Sequence, residues 1–363
     1  MKYDNRLINF LGILVLAIII FGCGNNDERR HQSVSQTTDL RKPLAWGHEQ
    51  TIYVFADDRV WQYAEQYLQE SIERYYFTTE NETFFDLKRA DIKAIQQFYR
   101  FKNLVFLAHL DTDSEVSNYV KDRLTENVLQ SVKDNGVGMF SRHNLWANDQ
   151  LVLFLLGDTE ANLLRFNILQ ANEVFEQFRT KLFSRIENRI YGFDIHSASL
   201  FRNLPWDMKI PNYYVIYKRD DSDNFISFLA RRRGQPDRYL SVYFEEMAED
   251  RVDLDWISST RARLAWQYYD EDEFRSEDTR SELTAFNGIP VYKFSGRWQN
   301  RKYAVGGAFQ SFAFYDINGN RAYLIDNSVF YPEGYKLPAL IELEVIGRSI
   351  NLKINSDHIS SDN

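Results

Sequence analysis

The chain reads as a mixed α+β / α/β protein of two layered domains. Three observations predict this. Over residues 48–195, short apolar runs alternate with segments of helical period. After Gly192, strand-like runs joined by polar turns take over. Two proline steps, Leu204-Pro205 and Ile210-Pro211, punctuate the change. The expectation is an alternating strand–helix sandwich over 48–195. An antiparallel sheet with helices on one face follows over 196–352, and a polar tail over 353–363.

Each element has its own warrant. Residues 51–56 (TIYVFA) predict a short buried strand. Asp57-Asp58 then supply a cap for a helix over 59–76, with Val60, Tyr63, Ala64, Tyr67, Leu68 and Ile72 at helical spacing. Residues 83–87 predict a strand and 91–99 a helix. Residues 103–109 (NLVFLAH) predict a buried strand. Val116, Val120, Leu124, Val128 and Leu129 predict one amphipathic helix over 114–132. An edge strand is expected over 138–142 and a central one over 150–156 (QLVLFLL). A long helix over 159–190 is marked by Leu164, Ile168, Ala171, Phe175, Phe178 and Leu182.

In the second part, strands are expected over 213–218, 225–231 and 239–245. A helix follows over 253–269, with Trp256, Ile257 and Leu264 inward. Strands over 289–299, 308–316 and 321–331 come next, the last two flanking the hairpin signal Asn318-Gly319. A closing helix over 337–350 starts with Pro338 in its first turn.

Composition narrows the partners. The formal charge is −9, and removing Lys2, Arg6 and Asp4 with residues 1–22 moves it to −10 (−9 − 2 + 1). So acidic a chain is ill suited to nucleic acid or an anionic lipid surface. Its 22 Tyr and 27 Phe fit sheet cores and tyrosine-rich strand faces better than a dedicated ligand surface.

The N-terminus predicts export. Lys2 and Arg6 precede an apolar run that ends at Phe21, and Ile20-Phe21-Gly22-Cys23 resembles the lipobox of bacterial lipoproteins. The run is short for a spanning helix, which needs about 20 apolar residues. Residues 1–22 then form a signal peptide, and Cys23, the only cysteine, becomes the acylated first residue. Residues 23–47 read as the lipidated cysteine and a flexible tether, whose r.m.s. reach is about 25–30 Å. Gly24 after the cysteine, in place of Asp, resembles the sorting signal for the outer membrane. The face of that membrane is left open.

A family resemblance rests on an ordered set of segments. They are Phe228-Leu229-Ala230-Arg231-Arg232, Gly288-Ile289-Pro290-Val291, Gly296-Arg297-Trp298, Gly306-Gly307-Ala308-Phe309 and Val329-Phe330-Tyr331-Pro332. Trp61, Asn103-Leu104-Val105 and Leu151-Val152-Leu153 precede them. Together they resemble the bacterial lipoprotein family called domain of unknown function 4837, over nearly the whole mature chain. The resemblance implies export, lipidation, two domains and a Bacteroidetes-like envelope. It implies no activity and no catalytic residues.

Motifs for chemistry are weak. Asp111-Thr-Asp113-Ser-Glu115 resembles the start of a calcium loop, but Val116 stands where the loop needs Gly, and capping by Asp113 or Ser114 explains it better. Asp316-Ile-Asn318-Gly-Asn320 reads as a hairpin turn. His109 ends a strand, His143 follows Ser141 and Arg142, and His48 and His196 lack partner spacing. The chain holds neither a Gly-x-Ser-x-Gly elbow nor a His-Glu-x-x-His pattern. No metal or cofactor is therefore expected.

Two clusters stand out as candidate contacts. Arg231, Arg232 and Arg233, with Arg238 nearby, form a dense basic group suited to a carboxylate or phosphate. Arg297, Trp298 and Phe309, flanked by glycines, form an aromatic group beside a turn. The leading reading is a lipid-anchored, non-catalytic binding or assembly module with an envelope-protein partner at these residues. The alternatives are an envelope hydrolase acting on glycan or peptide through acids or His109/His143, and a small-ligand carrier.

Overall fold

The computed structural model describes residues 39–353. The expected signal peptide, Cys23, most of the tether and the last ten residues lie outside the described residues. From Arg41 on, the described residues form one compact unit.

Two sheets organise it. The first has five strands in the order β4-β1-β5-β7-β6. These are β1 (Thr51–Ala56), β4 (Asp86–Arg89), β5 (Asn103–His109), β6 (Val137–His143) and β7 (Leu151–Gly157). All neighbours pair in parallel except β6, an antiparallel edge. A small hairpin of β2 (Tyr75–Phe77) and β3 (Asn81–Thr83) stands beside it, and β8 (Trp206–Asp207) pairs separately with residues Asn351–Leu352. Strand alternation divides the core. Val105, Leu107, Leu153 and Leu155 face one layer, and Leu104, Phe106, Val152 and Phe154 the other. Helices α1 (Asp58–Leu68) and α4 (Glu160–Ile190) cover the first face. Helices α2 (Glu115–Lys121) and α3 (Glu126–Asn135) cover the second.

The second sheet is antiparallel, in the order β12-β14-β15-β16-β11-β10-β9, with β13 also paired to β14. Its strands are β9 (Val215–Asp220), β10 (Phe225–Ala230), β11 (Asp237–Glu246), β12 (Asp272–Phe274), β13 (Arg280–Phe286), β14 (Ile289–Asn300), β15 (Gly306–Asp316) and β16 (Arg321–Phe330). The mixed α+β class and the two layered sheets are as expected. Helices cover both faces of this sheet rather than one. Helix α6 (Leu337–Gly347) packs with Val242, Phe312 and Ile325, whereas Ile257 and Leu264 of α5 (Leu254–Tyr268) pack with Phe225, Tyr243 and Leu324. Every α6 residue but Pro338 is buried, because the helix lies between the second sheet and α4. One hydrophobic cluster thus runs from Ile52 and Phe178 through Leu343 to Ile325.

Other departures from the sequence reading have local causes. The expected helix over 114–132 is two helices, because extended Thr125 offers its carbonyl to the N–H groups of Val128 and Leu129 and starts a second one. The expected helix over 59–76 leaves α geometry after Leu68. A π-helical stretch follows (Gln69–Glu73), and then Arg74 at φ 37°. Residues 43–46, placed in the tether, are bound to the first sheet through Ala45 N–H to Asn148 O (2.8 Å) and Trp46 N–H to Arg100 O (2.7 Å). The structure adds strands β12 and β13 to those the sequence predicts.

Candidate functional site

The sequence-derived candidates divide between the two faces of β14. Antiparallel alternation sends Lys293 and Arg297 toward the N-terminal half and Phe294 and Trp298 toward α5. Arg297 pairs with Asp278 (2.5 Å) and lies 4.7 Å from the Phe77 ring. Trp298 is buried in the α5-side cluster. So is Phe309, whose ring carries the Arg261 guanidinium at 3.5 Å. Phe309 has no face left for a partner, since Arg261 and the sheet enclose it. The expectation of Phe309 as a direct contact gives way to a core role, because a ring 1% exposed cannot meet another molecule.

The basic cluster also divides. Arg231 pairs with Asp237 (2.8 Å) and donates to the Tyr239 hydroxyl (3.1 Å). Arg232 is exposed beside the Tyr213 ring (5.1 Å), and Arg233 is exposed at the β10–β11 turn. Arg238 turns inward and pairs with Glu342 of α6 (2.7 Å).

Two cavities collect the remaining chemistry. The larger, about 420 Å³, is a cleft between the two halves. Tyr75, Tyr76 and Phe77 of β2 form one wall and residues 280–284 of β13 another. Arg74, Phe175 and Arg179 close it on a third side. Its floor is ionic and internally matched. Lys293 donates to the Tyr76 hydroxyl (2.6 Å) and pairs with Glu282 (3.2 Å) and buried Glu344 (3.5 Å). Burial pushes the Glu344 carboxyl up, but Lys293, Arg348 and Arg179 together hold it below its ordinary value. Arg74, held at its positive φ, lies 3.6 Å over the Phe175 ring and donates to Asn172 (2.7 Å).

The smaller cavity, about 210 Å³, opens on the other face at the C-terminal end of α5. Tyr217, Tyr239 and Tyr269 wall it, with ring centroids 5.5, 5.6 and 6.0 Å apart. Trp298 and Phe330 add a further wall. Asp270 and Asp272 stand at its edge, and Asn300 clamps them by donating to the Asp270 carbonyl (2.9 Å) and the Asp272 carboxylate (2.7 Å). Burial raises the Asp272 carboxyl to about 6, against the lowering pull of Asn300 and Arg261.

The described histidines line neither of these two cavities, and the acid runs are taken up by ion pairs and a turn. His109 contacts Asp111, and the His196 ring meets the Tyr214 carbonyl (2.6 Å). His143 is held below its ordinary value by burial and by Lys181 and Arg185. Asp113 pairs with Lys121 (3.6 Å) and Glu115 with Lys93 (3.1 Å). Neither Asp113 nor Ser114 caps α2 with its side chain. Asp57 reaches over instead, accepting from Ser114 Oγ (2.5 Å) and Val116 N–H (3.4 Å). Asn318 N–H bonds to Asp316 (3.0 Å), which makes the Asp316–Asn320 run a turn. No cluster of metal-ligating side chains occurs among the described residues, and no described helix is long and apolar enough to cross a membrane.

Comparison with known proteins divides the chain in the same place as the change of pattern. Residues 195–349 match the family model Domain of unknown function (DUF4837), and residues 45–191 match a second one, Domain of unknown function (DUF8532). Trp61 and the 103–105 and 151–153 segments fall under the second model. No curated protein matches by sequence. Among solved structures, the Ran-binding protein Mog1p of Saccharomyces cerevisiae is similar at TM-score 0.30 and 12% identity, over 41% of this chain and 91% of that one. LpqN of Mycobacterium tuberculosis, described as involved in cell envelope biogenesis, is similar at TM-score 0.25 and 6% identity, over 41% and 83%. Likenesses at this level say nothing of function.

Proposed function

On the premise that the C-terminal half belongs to the Domain of unknown function (DUF4837) family, we propose a lipid-anchored envelope protein that works by binding, without catalysis. Residues 1–22 act as the signal peptide, and acylated Cys23 holds the protein to the outer membrane. The partner is another envelope protein, received in the cleft between β2 and β13.

The observation that carries this reading is the open edge of β13. It pairs with β14 on one side only, and it lines the cleft with Leu283 72% exposed. An unpaired strand edge offers a row of backbone donors and acceptors to an extended segment of another chain. The Lys293, Glu282 and Glu344 charges of the floor are already paired with one another, so the edge contributes affinity through main-chain bonds and aromatic walls. Arg232 and Arg233 provide an exposed cationic contact for an acidic stretch of the same partner.

A crosslinking pulldown from native envelopes tests this, with Cys23→Ala and Leu283→Lys as controls. A stoichiometric envelope protein should be captured, and a lysine on the edge should weaken its capture. Capture undiminished by Leu283→Lys would remove the β13 edge from the reading. Turnover of peptidoglycan or peptide fragments by the purified protein, with no partner captured, would replace binding with hydrolysis.

A further inference from the structure

We infer that the cavity at the C-terminal end of α5, walled by Tyr217, Tyr239, Tyr269 and Trp298 and edged by Asp270 and Asp272, binds a single neutral sugar ring. The cavity shares no lining residue with the cleft, so this inference stands apart from the partner proposed there.

Size sets the first limit. A volume of about 210 Å³ holds one pyranose ring and not a chain of them. The walls then select the ligand's faces. The three tyrosines pack edge to face or stacked on one another, so their rings are already placed before a ligand arrives. A sugar presents patches of C–H to such rings.

The polar groups left unused decide the rest. Asp272 receives Asn300 on one carboxylate oxygen only, and the Asp270 carboxylate receives no side chain among the described residues. The Trp298 indole N–H packs against Gly307, so this residue contributes only its ring to the wall. The cavity therefore offers charge-assisted acceptors beside aromatic faces, and sugar hydroxyls donate to such acceptors. A cationic ligand fits less well. Arg231 already stands at the rim, paired with Asp237, and the Arg261 guanidinium lies beneath, paired with Asp326. Asp270 and Glu271 both hold left-handed backbone, at φ 55° and 70°. Asn300 and the Lys302–Glu271 pair (2.8 Å) keep this strained turn in place at the cavity mouth.

Saturation-transfer NMR on the full-length protein in a sugar-free detergent tests the inference. Glucose, galactose and N-acetylglucosamine serve as probes, with lysine methyl ester as the cationic comparison. At least one sugar should receive saturation on its ring protons. Asp270→Ala and Tyr217→Ala should each weaken its binding by about tenfold or more, and Glu126→Ala, exposed on helix α3 outside the cavity, should not. Asp270 is exposed and holds no side-chain contact that folding needs, so its variant decides the matter if Tyr217→Ala fails to fold. Absence of transfer to every sugar, sugar binding unaffected by Asp270→Ala, or preferential binding of lysine methyl ester would each overturn the inference.

Discussion

The carboxylate of Glu82 accepts the backbone N–H of Leu337 at 2.8 Å, across 255 positions of sequence. It also accepts the N–H of Lys336 (2.9 Å) and contacts the Thr78 hydroxyl. A residue of the β2–β3 hairpin in the first half thus caps the buried helix of the second. The first turn of α6 has no capping side chain of its own, and its orphan N–H groups are buried away from water. The two halves are joined by this cap, by Arg189–Glu342 (3.9 Å) and by the hydrogen bond from Lys293 to the Tyr76 hydroxyl (2.6 Å), as well as by apolar contact.

Glu82→Ala should therefore destabilise the whole unit. Two buried backbone donors lose their acceptor, a cost of about 2–4 kcal/mol. Urea denaturation followed by tryptophan fluorescence measures it. A change confined to the 75–83 hairpin, with the global midpoint unmoved, would show that the cap does not couple the halves.

Arg261 and Asp326 form a buried pair at 3.2 Å, at 2% and 5% residue exposure, with Ser311 also donating to Asp326 (2.5 Å). Arg261→Met should cost about 3–5 kcal/mol, because it strands a buried carboxylate. The double variant Arg261→Met/Asp326→Leu should recover much of that loss. Equal losses in the single and double variants, measured by thermal unfolding, would contradict the pairing argument.

The Asp272 carboxyl makes stability depend on pH. Its folded pKa of about 6 exceeds the ordinary aspartate value of 3.8. Below the ordinary value the group is neutral in both states and carries no penalty. As pH rises through the window between the two values, the unfolded chain loses its proton first and stability falls. Half-burial screens the effect to on the order of 1 kcal/mol. Asp272→Asn keeps an acceptor for Asn300 and should flatten this part of the profile while raising stability at neutral pH. Parallel profiles for the two proteins from pH 4 to 7 would refute the assignment.

Gly307 allows strands β15 and β16 and the Trp298 indole to close on one another. A Cβ there would lie 1.9 Å from the Val329 carbonyl oxygen and 2.8 Å from Trp298 Nε1. Gly307→Ala should destabilise by about 1–3 kcal/mol, through displaced backbone rather than a lost contact. Its Tm should fall further than that of Gly288→Ala, where a Cβ meets nothing within 4 Å and the cost is the left-handed φ of 86°.

Central strands were legible because each announces itself locally. Residues 104–108 and 151–157 are apolar throughout, as strands buried on both faces must be. The 318–319 turn was read from the Asn-Gly pair alone. Strand β13 escaped because its residues, Arg-Ser-Glu-Leu-Thr, sit on an exposed edge with no apolar alternation to mark it. Asn287-Gly288, at φ 49° and 86°, was the signal that could have found it. Of the candidate site residues, Arg231 and Trp298 meet at one cavity, and Arg297 faces the opposite side of the sheet.

What the sequence determined by itself was the succession of elements, the mixed fold class and the change of pattern near residue 192, since periodicity and turn chemistry act over a few residues. Only the tertiary structure decided which side chains share a cavity. Tyr217, Tyr239 and Tyr269 lie on two strands and just past a helix, and Asp272 and Trp298 on two others. Their meeting depends on strand order and register, which no local pattern encodes. It also decided that α6 would serve both halves, because a largely apolar helix whose two carboxylates, Glu342 and Glu344, need buried cationic partners is satisfied only where two layers close around it.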